Sequence, residues 1–78
     1  MITVYAWSYP YDGPWGPITM HEMVCPDTPQ INANAPGGID ECKGFILASW
    51  NRHFPGDPKT ADDFEYVAPP SDWVNPNQ

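Results

Sequence analysis

Two histidines and two cysteines, His21, Cys25, Cys42 and His53, are the side chains of this 78-residue chain best suited to holding a metal. Two nitrogen and two sulfur donors are a count that structural zinc accepts. Their order, however, matches no familiar zinc spacing. Placement argues harder. His21 and Cys25 fall on a candidate strand, where four residues span about 13 Å, and Cys42 and His53 on a candidate helix, where eleven span about 16 Å. Bonds of about 2 Å cannot gather donors set out that way, so no metal is expected. A Cys25–Cys42 disulfide is easier, because it would join a strand end to the first turns of the helix. Closing that loop would add about 3 kcal/mol by chain entropy. Against it, Met1 opens directly into a strand-like run with no basic n-region and no apolar h-region. That leads us to expect a cytoplasmic protein, in which both thiols stay reduced. Both states of the pair remain open on sequence alone.

Nucleophilic and acid–base chemistry fare no better. Cys42 lies near a helix N-terminus, which favours a thiolate, but Asp40 and Glu41 beside it oppose one, and its place on the apolar stripe points to burial. His21 adjoins Glu22, whose side chain points to the other face of a strand, so no Ser-His-Asp arrangement can be built on it. Asp62 and Asp63 are paired carboxylates without an identifiable pocket, the usual look of a solvated surface. "PWGP" (14–17) and "PGDP" (55–58) fit PxxP, yet neither has flanking cations and both contain glycine, so they read as turns. No catalytic residue and no cofactor are expected.

Charge and aromatic content are more informative. Ten carboxylates face Lys43, Arg52 and Lys59, a net charge of −7. Three scattered cations cannot neutralise phosphates, which excludes direct binding to nucleic acid and to anionic membranes; no apolar run is long enough to span a bilayer. Such a charge steers instead towards a basic protein surface. The carboxylates concentrate at Asp57, Asp62, Asp63, Glu65 and Asp72, with Lys59 the lone cation among them. At the other end Tyr5, Trp7, Tyr9, Tyr11 and Trp15 crowd into the first fifteen residues, more aromatic surface than one small core face absorbs. Tyr and Trp are favoured interface anchors. The residues expected to contact a partner are therefore Tyr9, Tyr11 and Trp15 with Asp57, Asp62, Asp63, Glu65 and Asp72.

The elements that must position these groups can be read from periodicity. Residues 2–9, "ITVYAWSY", alternate Ile2, Val4 and Ala6 against Tyr5, Trp7 and Tyr9, a strand. Residues 18–25 alternate Ile18, Met20 and Val24 against Thr19, His21 and Met23, a second strand. The stretch "YPYDGPWGPI" links them as a hairpin connection of about eight residues, in which Pro10, Pro14 and Pro17 end the strands and Trp15 anchors the loop. Residues 26–38 are loop by composition. A helix runs from Ile39 to about Phe54, with Asp40 and Glu41 in its first turn, Arg52 and His53 in its last and Pro55 as its stop. Its stripe is Ile39, Cys42, Ile46, Ser49, Trp50 and His53, with Phe45 alongside. Gly44 suggests a large side chain packed over it, for which Trp7 is suited. Residues 60–67 suit either a Thr60-capped short helix or a strand at 64–67, the latter preferred.

The fold expected is α+β: a β-hairpin packed by one α-helix with a short C-terminal strand. Residues 1–68 form a single domain, and 69–78 a proline-rich extended tail held only at Trp73. Ile, Val, Leu and Phe supply thirteen of 78 residues, so the core must lean on aromatics. In size and charge, not in residues, the chain resembles the small acidic inhibitors that phages make against host nucleic-acid machinery, anti-CRISPR proteins and DNA mimics among them. That resemblance implies occlusion of a basic site inside a host cell, with carboxylates standing where phosphates would bind. The rival expectation is a structural or assembly protein that uses its aromatic face for self-association or for docking into a virion or larger complex.

Overall fold

In the computed structural model, which describes residues 1–28 and 31–75, a four-stranded sheet is backed by one helix. The strands are β1 (Ile2–Gly13), β2 (Gly16–Val24), β3 (Asn32–Pro36) and β4 (Phe64–Val67), in the spatial order β3-β2-β1-β4. The helix α1 spans Ile39–His53. β1 pairs antiparallel with β2 and parallel with β4, so the sheet is mixed. The architecture is α+β, as the alternation and the helical stripe imply.

One face of the sheet carries the core. Ile2, Val4 and Ala6 of β1, Met23 of β2, Ala33 and Ala35 of β3, and Phe64 and Tyr66 of β4 meet Cys42, Ile46 and Trp50 of α1. Of the helical stripe, Cys42, Ile46 and Trp50 are buried, while His53 is exposed at the last turn and Phe45 is half exposed. Trp50 is the aromatic hub: its ring centroid lies 4.7 Å from that of Phe54 and 6.0 Å from that of Phe64. Its indole N–H donates to the Asp57 carbonyl at 2.8 Å. Asn51 fixes the following loop by donating to the Lys59 carbonyl (3.2 Å) and accepting from the Lys59 N–H (2.8 Å). Thr60 then donates its backbone N–H to Asp63 Oδ2 at 2.8 Å, holding a 3-10 turn at Ala61–Asp63 that leads into β4. Residues 60–67 thus contain both the short helical turn and the strand.

The sequence expectations need correction at four places. First, residues 26–38 are not all loop, because Asn32–Pro36 form the edge strand β3; Pro29 and Gln30 lie outside the described residues. Asn and Ala are poor strand formers, but Ala33 and Ala35 are small enough to let α1 lie close over β3, and that packing overrides propensity. Second, the hairpin connection is two residues, Pro14 and Trp15, between paired Gly13 and Gly16. Pro14 suits the first turn position, and Gly16, at φ +106°, supplies the left-handed residue that lets such a turn close a hairpin. Pro10 and Pro17 lie within the strands, where β4 no longer flanks β1 and β3 no longer flanks β2. An open edge tolerates a residue without an N–H. Third, Trp15 is no anchor: it is 94% exposed at the tip, because a two-residue turn gives its ring nothing to fold onto. Fourth, Gly44 is exposed, with nothing beyond its own helical backbone and chain neighbours within 4 Å of where a Cβ would sit, and Trp7 packs elsewhere.

Gly44 therefore weakens α1 without a packing reason. Gly44→Ala should raise stability by about 0.5–1 kcal/mol, read from denaturant midpoints at unchanged slope. A loss of stability would mean that something does close over this helix position.

Candidate functional site

The outer face of the sheet, opposite α1, holds a second apolar cluster. Alternation places Tyr5, Trp7, Tyr9 and Tyr11 of β1 there, in register with Val24, Glu22, Met20 and Ile18 of β2. Residues 69–75 cross the near part of this face. Trp73 sets its ring edge-on against both Tyr5 and Trp7, at centroid distances of 5.3 Å each, and Val24 is fully buried on the same face. Asn75 donates from Nδ2 to Glu22 Oε1 at 3.3 Å. Trp7, Pro69, Trp73 and Asn75 line a shallow open cleft of about 200 Å³.

Beyond the strap, the described residues of this face are Tyr9, Tyr11, Ile18 and Met20. Tyr9 is half-buried and accepts a hydrogen bond from Asn34 Nδ2 at 3.3 Å. Tyr11 is 48% exposed and Ile18 is 37% exposed. With Met20 they form a row of apolar side chains on a two-stranded ribbon that ends in Trp15. The opposite face of the same ribbon is polar: Ser8 Oγ and His21 Nδ1 lie 2.7 Å apart, with Thr19 and Asp12 farther out. His21 makes no hydrogen bond to a carboxylate among the described residues, so the Ser-His pair lacks the third group of a triad.

The expected contact residues do not gather in one place: Asp72 lies in the strap, beside the Trp73 that packs on Tyr5 and Trp7. Tyr9, Tyr11 and Trp15 share the ribbon. Asp62 and Asp63 precede Phe64, which pairs with Ile2, whereas Tyr9 and Tyr11 lie seven and nine residues farther along β1, about 23–30 Å away at the usual strand rise. The acidic residues are not equivalent. Asp57 pairs with Lys59 at 3.0 Å, and that lysine also sits 5.9 Å from the Trp50 ring. The Asp63 carboxyl is held below its usual range by the Thr60 N–H and hydroxyl it accepts from. Asp62, Glu65 and Asp72 are exposed without an ion pair among the described residues. The sequence alone does not mark Ile18, Met20 or the strap cleft as neighbours of Tyr9 and Tyr11 on one face. The alternation of residues 18–24 carried that signal, but using it requires the register, and the register depends on knowing that the turn has two residues.

No group of three or more His, Cys, Asp or Glu converges among the described residues. No described helix is long and apolar enough to cross a membrane. Both cysteines are free and buried, and Cys42 Sγ points its weak donor at the Ala35 carbonyl, 3.6 Å away. Burial, reinforced by Asp27, pushes the Cys25 thiol up to about 11, and burial with Glu41 raises Cys42. The Tyr66 hydroxyl is buried without a hydrogen-bond partner among the described residues, and burial raises its phenol to about 12. Such thiols are protonated and unreactive near neutrality. No protein-family model, curated protein or solved structure matches the chain.

A raised folded-state value means that the native state holds its proton more tightly than the unfolded chain does. Cys25 therefore contributes its full stabilisation below its ordinary value of 9.0 and loses it as pH rises towards about 11. The expected loss is on the order of 2–3 kcal/mol. Thermal melts should fall across that window, and Cys25→Ala should flatten the fall. An identical pH profile for the variant would assign the alkaline loss to other groups.

Proposed function

We propose that this protein is non-enzymatic and acts by occupying a basic surface of another protein, as an inhibitor of a nucleic-acid-binding complex would, with its carboxylates standing where phosphates bind. The observation that carries this reading is the exposed acidic end. Asp62, Glu65 and Asp72 are solvent-facing, and Lys59, the cation nearest to them in sequence, is paired with Asp57. Of the other cations, Lys43 pairs with Asp40 at 3.5 Å and lies 5.0 Å over the Tyr66 ring, and Arg52 is in the last turn of α1, while Lys59 and the N-terminal ammonium lie near enough to help lower Asp63. With a net charge of −7, a field of this kind speeds encounter with a basic partner and repels nucleic acid itself. The aromatic ribbon is a second contact, remote from Asp62 and Asp63. A structural or assembly role is favoured instead if the ribbon alone accounts for all binding, since exposed aromatic rows serve association equally well.

Asp63 has a capping duty, so the test should spare it. The variant Asp62→Asn with Glu65→Gln and Asp72→Asn should retain its fold. Used as bait in a bacterial lysate, the parent chain should retain a basic nucleic-acid-binding complex that the variant loses. With the isolated partner, the variant should associate at least several-fold more slowly at low salt, with the difference shrinking as salt rises. Unchanged capture, or an equal loss at every salt concentration, would remove the electrostatic role.

A further inference from the structure

We infer that the free edge of β4 is a strand-docking site, which takes an extended segment of a partner protein, with cations at alternate positions, as an added strand of the sheet. This deepens the acidic-end reading and rests on it. β4 stands last in the order β3-β2-β1-β4 and pairs with β1, so its other side turns a row of backbone N–H and C=O groups outward. Among the described residues no backbone hydrogen bond reaches that side. Such a row is a template that an extended chain satisfies. From Asn75, held at the Trp7–Glu22 pair, to Thr3, the partner of Glu65, is four residues of β1, about 13 Å. Three residues of chain span at most about 10 Å, so the edge beside Glu65 is beyond the reach of residues 76–78. Pro29 and Gln30 precede β3, the strand at the opposite end of the order.

Charge selects the occupant. Asp63 has Lys59 and the N-terminal ammonium nearby. Asp62, just before the strand, and Glu65, within it, are exposed and make no ion pair among the described residues. Like charges set opposite each other repel, so the edge rejects a second copy of itself, whereas a strand carrying cations is drawn to it. The side chains of β4 fix which positions those are. Phe64 and Tyr66 face the core, and Glu65 lies on the outer side in register with Thr3. An added strand therefore sets its cations beside Glu65 and its apolar residues beside Phe64 and Tyr66. The other edge of the sheet offers no such match. β3 reads Asn-Ala-Asn-Ala-Pro, carries no charge and ends in a residue without an N–H. One edge is furnished for a basic strand and the other is blunted.

Titration with a short capped peptide of alternating Lys and Val tests the inference. Binding should slow amide hydrogen exchange within β4 and leave β3 unchanged. The same peptide methylated at every backbone nitrogen keeps its charge but cannot donate to the ladder, and it should bind at least about tenfold more weakly. Glu65→Lys, a change at an exposed position, should weaken the unmethylated peptide by a similar factor with circular dichroism unchanged. A peptide of alternating Glu and Val should not bind. Equal binding of the two Lys peptides, or protection that extends to β3, would overturn strand docking and leave the acidic-end reading standing, since charge alone would then account for the attraction. Absence of peptide binding would also overturn docking. In that case, capture of a basic complex that the Asp62, Glu65 and Asp72 substitutions abolish would keep the acidic-end reading, and loss of capture as well would remove both.

Discussion

Alternation along one long strand governs this molecule. β1 has twelve residues, and every second side chain goes to the helix side while the others go to the outer side. Near its start both sides are covered, by α1 on one and by the Trp73 strap on the other. Farther along, β4 and β3 have dropped away, and the pattern itself changes: Ser8, Pro10 and Asp12 replace Ile2, Val4 and Ala6 on the helix side, while Tyr9 and Tyr11 continue the aromatic row outside. The strand thus passes from a two-sided core into a ribbon with one apolar face. Burial of the first half is what gives the second half a rigid base, since a two-stranded ribbon alone is marginal in water.

The small aliphatic supply shapes the remainder. The inner core is built from a few bulky groups, Trp50, Phe64, Met23, Ile31, Ile46 and Val4, filled in with Ala33, Ala35 and two cysteines. The other tryptophans are not in it. Trp7 and Trp73 form their own cluster across the sheet, and Trp15 joins neither. The fold therefore does not bury its aromatics in one place. Its two clusters share the sheet as a common wall, which couples the strap to the core through β1.

How much of this could be read from the sequence depended on whether local and long-range preferences agreed. Residues 2–9 and 39–53 announce themselves because periodicity, capping charges and composition all point the same way. β3 is invisible because Asn-Ala-Asn-Ala carries no strand preference of its own and becomes a strand only against β2 and under α1. The hairpin tip misleads for a different reason. Three prolines suggest that the strands have ended, when the relevant fact is that both strands have open edges there. From that one misjudged length follow the wrong role for Trp15 and the overlooked partners of Tyr9 and Tyr11. The acidic residues were legible as a composition, but not their distance from the aromatics, which the parallel β1–β4 pairing sets.

That parallel pairing also bears on how the chain reaches its folded state. Ile2–Tyr5 must wait for Phe64–Val67 to exist before the central strand has both neighbours. During synthesis the β1–β2 hairpin can form early, yet its inner face lacks Phe64 and Tyr66 and its outer face lacks Trp73 until translation has passed the acidic turn at 61–63. For most of that time the growing polypeptide exposes two apolar surfaces and an unpaired edge, the condition in which chains associate wrongly. Contacts of such long sequence separation also slow folding. A chain that stopped short of residue 64 would leave β1 without its parallel neighbour and both faces of the hairpin incomplete.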